Sequence, residues 1–169
     1  MTRPLFETTH PGEPWPERLG PGAVLLHGFT LTEAPALIDE LARIAESAPF
    51  RHMITPSGHR MTVAMTNCGA RGWVSDRTGY RYAAQDPESG RPWPPMPARF
   101  FELAHAAAAQ AGLAGFLPDA CLINRYEPDA RLSLHQDRDE RDLTAPIVSV
   151  SLGLPAVFLW GGLKRKDPT

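Results

Sequence analysis

The stretch DACLINRYEPDARLSLHQD, residues 119–137, contains two runs in which apolar and polar residues alternate, 119–127 and 131–137. A period of two is typical of strands, in which residues i and i+2 point to the same face. Two further runs follow, PIVSVSLG at 146–153 and PAVFLW at 155–160. Because no helical pattern separates these four runs, they predict an antiparallel barrel or jelly roll.

Two helices are predicted upstream of these strands. Apolar residues recur at helical spacing over 33–47, where Pro35 falls in the first turn and its missing N–H costs nothing. A second helix is predicted over 97–111, because Pro97 opens it and Gly112 lies just past its end. Both helices have an apolar face that is expected to pack on the strands.

The remaining segments differ in pattern. The short apolar run 23–29 predicts a strand, whereas residues 1–22 are rich in Pro, Glu and Gly and are expected to be irregular. Residues 51–94 alternate and contain five glycines, which predicts short antiparallel strands joined by hairpins.

The composition indicates a single soluble domain of 169 residues and 18.5 kDa. A net charge of −2 excludes a globally basic nucleic-acid binder. A local excess of +4 nevertheless lies within 51–82, from Arg51, Arg60, Arg71, Arg77 and Arg81 against Asp76. Two cysteines, no apolar leader and no run long enough to span a membrane predict a cytoplasmic protein.

His135 and Asp137 are two residues apart, so a continuing strand would point both side chains the same way. Two His and one carboxylate on one face of an octahedron are the ligand set of non-haem Fe(II) oxygenases. The pattern predicts two of those ligands. It is also compatible with a His that hydrogen-bonds a neighbouring carboxylate at a strand end.

Leu122, Asn124 and Tyr126 share one face of the preceding predicted strand. An apolar group, an amide and a phenol on an inward face are typical of the wall of a pocket for a small polar ligand. The same three residues would also suit a core in which the Asn and Tyr are satisfied by backbone groups.

Residues 119–140, followed by APIVSVSLGLPAVFLWGGLKRKDP at 145–168, closely resemble the AlkB family of Fe(II)- and 2-oxoglutarate-dependent dioxygenases. Upstream, MITPSGHRMTVAMTNCGARGW at 53–73 and GYRY at 79–82 resemble the nucleotide-recognition lid of that family. The resemblance implies a mainly β fold with flanking helices, built on a double-stranded β-helix (jelly roll) core. A β-hairpin lid would be added to this core.

The resemblance also implies roles for individual residues. His135 and Asp137 would be the metal ligands and the catalytic residues, and Leu122, Asn124 and Tyr126 would hold 2-oxoglutarate. Trp73 would stack on the flipped damaged base, with His135 on the other face of that base. Glu140 would support the site. The other substrate-binding residues would be Tyr80, Arg81, Tyr82, Asp139 and Arg165.

The implied activity is the oxidative dealkylation of N-alkylated bases, of the 1-methyladenine and 3-methylcytosine type. It would use Fe(II), 2-oxoglutarate and O2 and would release succinate, CO2 and an aldehyde. The expected partner is alkylated single-stranded or duplex DNA, with RNA left open, and the expected state is a monomer. Within one catalytic domain, the expected division is an N-terminal extension (1–48), a lid (49–94) and the first part of the jelly roll (95–169).

The family pattern also includes a third iron ligand, a His, and two Arg for the carboxylates of 2-oxoglutarate. No His follows Asp137 here, and Arg138, Arg141 and Arg165 do not match those Arg positions. The sequence therefore predicts a chain truncated at its C-terminus, whose jelly roll lacks its last strands. Two alternatives stay open: a non-catalytic binder of alkylated or single-stranded nucleic acid, and a related oxygenase that acts on RNA or protein.

Overall fold

The computed structural model describes residues 14–137, 140, 142–162 and 167. Within these ranges the chain is mainly β with two helices, and its strands pair in three antiparallel ribbons. In the same ranges, neither helix is long and apolar enough to cross a membrane. The elements in chain order are β1 (Trp15–Gly20), β2 (Ala23–His27), α1 (Ala34–Ser47), β3 (Ala64–Gly69), β4 (Gly72–Asp76), β5 (Gly79–Ala83), α2 (Ala98–Gln110) and β6 (Ala120–Arg125).

The ribbon of β3 and β6 lies at the centre of the fold. Its register places Cys68 opposite Cys121 and Asn67 opposite Leu122. Because side chains alternate along a strand, the ribbon has two faces. One face carries the two cysteines, and the other carries Asn67 and Leu122.

The cysteine face packs against the helices. Ile44 of α1 forms a buried cluster with Cys68 and Ile123, and Leu41, Phe50, Met96, Phe100 and Cys121 pack around it. Burying a side chain such as Ile44 stabilises a fold by about 1.5–3 kcal/mol. Both predicted helices are therefore confirmed to within about one residue at each end.

The second ribbon is a hairpin of β4 and β5 with Arg77 and Thr78 as its loop. The Asp76 carboxylate shapes this turn, because Oδ1 accepts hydrogen bonds from the Thr78 N–H at 2.8 Å and the Thr78 hydroxyl at 2.5 Å. Gly79 has a φ of 127°, a conformation that favours glycine. The hairpins predicted for 51–94 are thus confirmed here, whereas the function of this hairpin as a lid stays a prediction.

The first correction concerns residues 1–22, which were predicted to be irregular. Trp15–Gly20 forms strand β1, which pairs with β2. Pro21 and Gly22, with φ 73° at the glycine, close the turn between them. A proline at position 16 and mixed polarity hid the strand, because none of its residues is fully buried and its side chains carry little apolar period.

The second correction concerns the strands predicted at 131–137, 146–153 and 155–160. In the described part of the chain these segments are irregular, apart from a single bridge at Val157. Many of their apolar side chains are exposed, and Leu154 reaches 87%. Alternation sets which face a side chain takes, but a strand also needs a backbone partner, and the described residues provide no ladder for these runs. The jelly roll is therefore not seen, and the proposed division into three parts stays a prediction.

Candidate functional site

His135 and Asp137 lie in the irregular segment that follows β6, with His135 Nε2 3.5 Å from Asp137 Oδ1. Both side chains are more than half exposed, at 56% and 53%. The Nδ1 atom of His135 lies 2.7 Å from the Ser133 carbonyl oxygen. Because a carbonyl only accepts, Nδ1–H donates this bond, and Nε2 is the ring nitrogen that faces the carboxylate. The sequence thus predicted the proximity correctly, although the strand that was expected to cause it does not form.

The segment that carries His135 and Asp137 is hydrogen-bonded to Thr62, which lies just before β3. The Thr62 hydroxyl donates to the Arg131 carbonyl at 3.0 Å and accepts from the Arg131 N–H at 3.2 Å, across 69 residues of sequence. Upstream, the turn at 127–130 is closed by the Ala130 N–H donating to the Glu127 carbonyl. These bonds set where the chain turns from β6 toward His135.

The residues predicted to hold 2-oxoglutarate lie on and just after β6. Leu122 packs against a buried cluster of Met53, Val63 and Met65. Asn124 pairs with Met65 in the strand register and is exposed, and Tyr126 is 53% exposed. The expected inward wall is therefore partly buried at Leu122, while the amide and the phenol are open to solvent. Their role toward 2-oxoglutarate stays a prediction.

The hairpin brings Trp73 onto the same apolar cluster as Leu122. The Trp73 ring stacks on Tyr80, with ring centroids 5.6 Å apart and planes 16° from parallel. Tyr80 is 46% exposed, so this pair presents aromatic surface at the edge of the fold. Such surface suits a nucleobase, whose flat face stacks on aromatic rings.

Tyr82 connects the hairpin to the segment beyond the metal-ligand candidates. Its hydroxyl donates to Glu140 Oε1 at 2.6 Å, and the two residues are 58 positions apart. Burial and the Glu140 carboxylate together raise the pKa of the Tyr82 phenol, which therefore stays protonated as the donor. Glu140, which was predicted to support the site, thus contacts Tyr82, which was itself predicted to bind substrate.

The arginines of the hairpin region are only partly available to phosphate. Arg81 pairs with Asp76 at 2.7 Å, and Arg51 pairs with Asp86 at 2.6 Å and Glu88 at 3.3 Å. The Arg81 guanidinium and Thr78 hold the pKa of the Asp76 carboxyl well below its usual range. Asp86 and Glu88 lie just outside the 51–82 window, so they reduce the local excess of +4 to +2. Arg60 and Arg77 are the exposed arginines of this group.

Two predicted substrate residues, Asp139 and Arg165, lie outside the described residues. Their contacts with a base stay predictions.

Comparison with known proteins gives the chain its family. Residues 22–169 match the family described as the 2OG-Fe(II) oxygenase superfamily. The "Alpha-ketoglutarate-dependent dioxygenase AlkB" of Salmonella typhimurium is 59% identical over 155 residues, covering 92% of this chain and 72% of that protein. The chain belongs to the AlkB family. The Escherichia coli AlkB protein is 58% identical with the same coverage, and the human "Nucleic acid dioxygenase ALKBH1" is 35% identical over 56% of this chain and 24% of its own length.

AlkB-family membership implies Fe(II) and 2-oxoglutarate, with O2 as oxidant. In type and proximity, His135 Nε2 and Asp137 Oδ1 suit two positions of the facial ligand set. Within the described residues, no group of three or more His, Cys, Asp or Glu side chains could hold a metal ion. Each of the other four described histidines contacts a group elsewhere: His27 with Glu17, His52 with Met61, His59 with Ser57 and His105 with Phe116. His135 and Asp137 therefore suit two of the three iron ligands, and the described residues do not complete the set of three.

Two residues with a clear structural role, Asn67 and Thr62, were not predicted from the sequence. Asn67 is fully buried in β3, and its polar side chain interrupts a run that is otherwise small or apolar. A buried amide needs hydrogen-bond partners, so this position was a usable signal. Thr62 is an ordinary exposed hydroxyl, and nothing in the sequence singled it out.

Proposed function

We propose that this chain carries the iron-ligating and base-stacking part of an enzyme that oxidatively dealkylates N-alkylated bases in DNA. The observation that carries the proposal is the connection between Trp73 and the metal-ligand candidates. The hairpin that holds Trp73 is hydrogen-bonded through Tyr82 to Glu140, three residues beyond Asp137. Thr62 makes a second connection, to the segment that leads into His135.

The proposed metal ligands are His135 through Nε2 and Asp137 through its carboxylate. When bound, Fe(II) with 2-oxoglutarate and O2 supplies the oxidation of the alkyl carbon on the base nitrogen, leaving succinate, CO2, an aldehyde and the repaired base. Asn124 and Tyr126 are proposed to bind 2-oxoglutarate because both lie exposed at the end of β6, beside the packed Leu122. The Ser133 carbonyl keeps Nδ1 of His135 protonated, and Nε2 is therefore the ligating atom.

The proposed base-binding group is Trp73 with Tyr80. A 1-methyladenine or 3-methylcytosine base is cationic, so an aromatic face gains a cation–π contribution that a neutral base does not provide. The exposed Arg60 and Arg77 are proposed to meet the phosphates. A monomeric, cytoplasmic enzyme is part of the same proposal.

Binding and turnover test the proposal together. A single-stranded DNA oligonucleotide with one 1-methyladenine is compared with its unmethylated twin and with the RNA version. Trp73→Ala should raise KM for the methylated DNA more than it lowers uncoupled 2-oxoglutarate turnover. If Trp73→Ala impairs KM and uncoupled turnover equally, Trp73 has a structural role. If KM is lower for the methylated RNA than for the methylated DNA, the proposed substrate is RNA.

A second candidate function is a binder without turnover. It is favoured by the ligand set, which is incomplete among the described residues. Fe(II) is loaded anaerobically and O2 is then admitted. Methyl-selective oligonucleotide binding without any 2-oxoglutarate consumption by this chain would support the binder. Consumption that depends on Asp137 would support the enzyme.

A further inference from the structure

Asn67 is a fully buried polar residue, with no exposed surface, in the middle of β3. Its side-chain amide makes two hydrogen bonds to the backbone of Trp73. Nδ2 donates to the Trp73 carbonyl at 2.9 Å, and Oδ1 accepts from the Trp73 N–H at 2.9 Å. An amide that bonds both backbone groups of one residue reproduces the two-bond exchange of an antiparallel strand pair.

Among the described residues, strand β4 has a strand partner, β5, on one side only, and β3 belongs to a different ribbon. The two bonds from Asn67 lie where a second strand would pair. Trp73 is opposite Tyr82 in the hairpin register, yet its N–H and C=O are directed to Asn67. Without Asn67, these two backbone groups of Trp73 would lose these hydrogen bonds in a partly buried place, which is unfavourable.

The approach between Asn67 and the hairpin is close. A Cβ added at Gly72 would lie 2.7 Å from the Asn67 Cβ and 2.4 Å from Cε2 of Trp93. Trp93 also donates from Nε1 to the Ala83 carbonyl, opposite Gly72 at the other strand of the hairpin. The backbone on either side of Trp73 is therefore held in one position, and only glycine fits at 72.

Asn67 also belongs to the face of β3 that is directed to the candidate site. It lies opposite Leu122 of β6, and Leu122 and the Trp73 ring pack on the same apolar cluster. Asn67 thus lies in the central ribbon, bonds the backbone of Trp73 and pairs with β6, the strand that leads to the 2-oxoglutarate candidates.

We infer that Asn67 is a positioning residue, whose amide sets the orientation of the Trp73 ring for base stacking. The inference rests on the proposed base-binding function of Trp73. Asn67 itself touches no substrate. Asn67 acts through its two hydrogen bonds to the Trp73 backbone. Loss of the Asn67 amide should therefore weaken oligonucleotide binding only in a chain that keeps the Trp73 ring.

The test measures the Kd of a fluorescein-labelled oligonucleotide with one 1-methyladenine, by fluorescence polarisation, with the full chain and no added metal. Asn67→Leu keeps the branching at Cγ, although the side chain is larger, and removes both hydrogen bonds. It is compared with Trp73→Ala and with the double variant. Stacking of one base on an aromatic ring is worth about 1–3 kcal/mol, so Trp73→Ala should raise Kd about tenfold, and Asn67→Leu should raise it by a similar factor.

Thr66→Val is the matched control for stability. Thr66 is the neighbour of Asn67, is also buried, and donates to the Ala48 carbonyl at 2.7 Å on the other face of β3. It should lower Tm as Asn67→Leu does but leave Kd within about twofold. If Asn67→Leu does not fold, Asn67→Asp takes its place, since it keeps the size and replaces the donor by an oxygen that faces the Trp73 carbonyl.

The outcomes distinguish the proposed base-binding function of Trp73 from the positioning role of Asn67. If Trp73→Ala leaves Kd unchanged, the proposed function of Trp73 fails. If Trp73→Ala raises Kd but Asn67→Leu, or Asn67→Asp in its place, does not, the positioning role alone is overturned. A further rise in Kd when the Asn67 change is added to Trp73→Ala would also overturn it, because the effect would then bypass the ring. Equal Kd values for Trp73→Ala and the double variant would support it.

Discussion

Tyr82 in the β4–β5 hairpin donates a 2.6 Å hydrogen bond to Glu140, three residues beyond the metal-ligand candidate Asp137. The two residues are 58 positions apart in the sequence. This bond therefore holds an aromatic hairpin against a segment that is otherwise irregular. In the family to which the chain belongs, iron and the alkylated base have to be held together, and this contact connects the elements proposed to bind them.

Loss of the Glu140 carboxylate should loosen the hairpin. We expect Glu140→Ala to speed hydrogen–deuterium exchange at amides of 79–83, because the Tyr82 hydroxyl loses its acceptor. Glu140→Gln keeps an acceptor oxygen at the same place and should restore slow exchange. If exchange over 79–83 is the same in all three proteins, the contact does not hold the hairpin.

Divalent-metal binding should depend on both members of the 3.5 Å pair. We expect the chain to bind Fe(II) in an anaerobic calorimetric titration, and we expect His135→Ala and Asp137→Ala each to abolish that binding and 2-oxoglutarate turnover. His105→Ala is the control, because His105 contacts the Phe116 carbonyl instead and its loss should leave both unchanged. Metal binding retained by Asp137→Ala would remove that residue from the metal site.

The Arg51–Asp86 ion pair should give the fold a definite acid dependence. Burial acts to raise the pKa of Asp86, but hydrogen bonds from Arg51, Glu88 and Ser89 outweigh it and lower that pKa to about 2. A lowered pKa means that the stabilisation is fully present above the unfolded value near 4 and is lost as the pH falls through about 2. A shift of this size corresponds to about 2 kcal/mol.

Urea melts of Arg51→Met measure that contribution. At pH 7 we expect the variant to lose about 2 kcal/mol of unfolding free energy, and the difference from the parent to shrink below pH 3. Arg43→Met is the matched control, since its partner Glu40 is on the same exposed helix surface, and it should lose much less. A loss for Arg51→Met that does not change with pH would mean that packing on Trp93, and not the charge pair, is responsible.

The facing cysteines give a direct check of the β3–β6 register. Cys68 and Cys121 are directly opposite, and facing residues of antiparallel strands are close enough for a disulfide. Both thiols are free, and the hydrogen bond with Cys121, together with burial, raises the pKa of the Cys68 thiol, so we expect diamide to form an intramolecular disulfide slowly and faster at alkaline pH. Mass spectrometry would detect the loss of two hydrogens. A shift of one residue in the register would leave both thiols titratable under these conditions.

Some of the fold could be predicted because it is encoded locally. Both helices followed from apolar spacing with Pro35 and Pro97 at their starts, and β6 followed from alternation. The strand at 15–20 was missed, because its pairing with β2 across the Gly22 turn supplies what its own side chains do not indicate. Strands predicted at 131–160 did not form, because alternation was present without a partner strand in the described residues.

The sequence by itself determined the chemistry that this protein can offer: a His and an Asp two residues apart, an amide and a phenol before them, and aromatic residues within a hairpin. Those features depend on residue type and short spacing, which the chain carries whatever its fold. Only the tertiary structure decided how they are connected. The bonds from Asn67 to Trp73, Thr62 to Arg131 and Tyr82 to Glu140 join separate elements. No local pattern encodes such pairs, because their partners meet only after the ribbons and helices have packed.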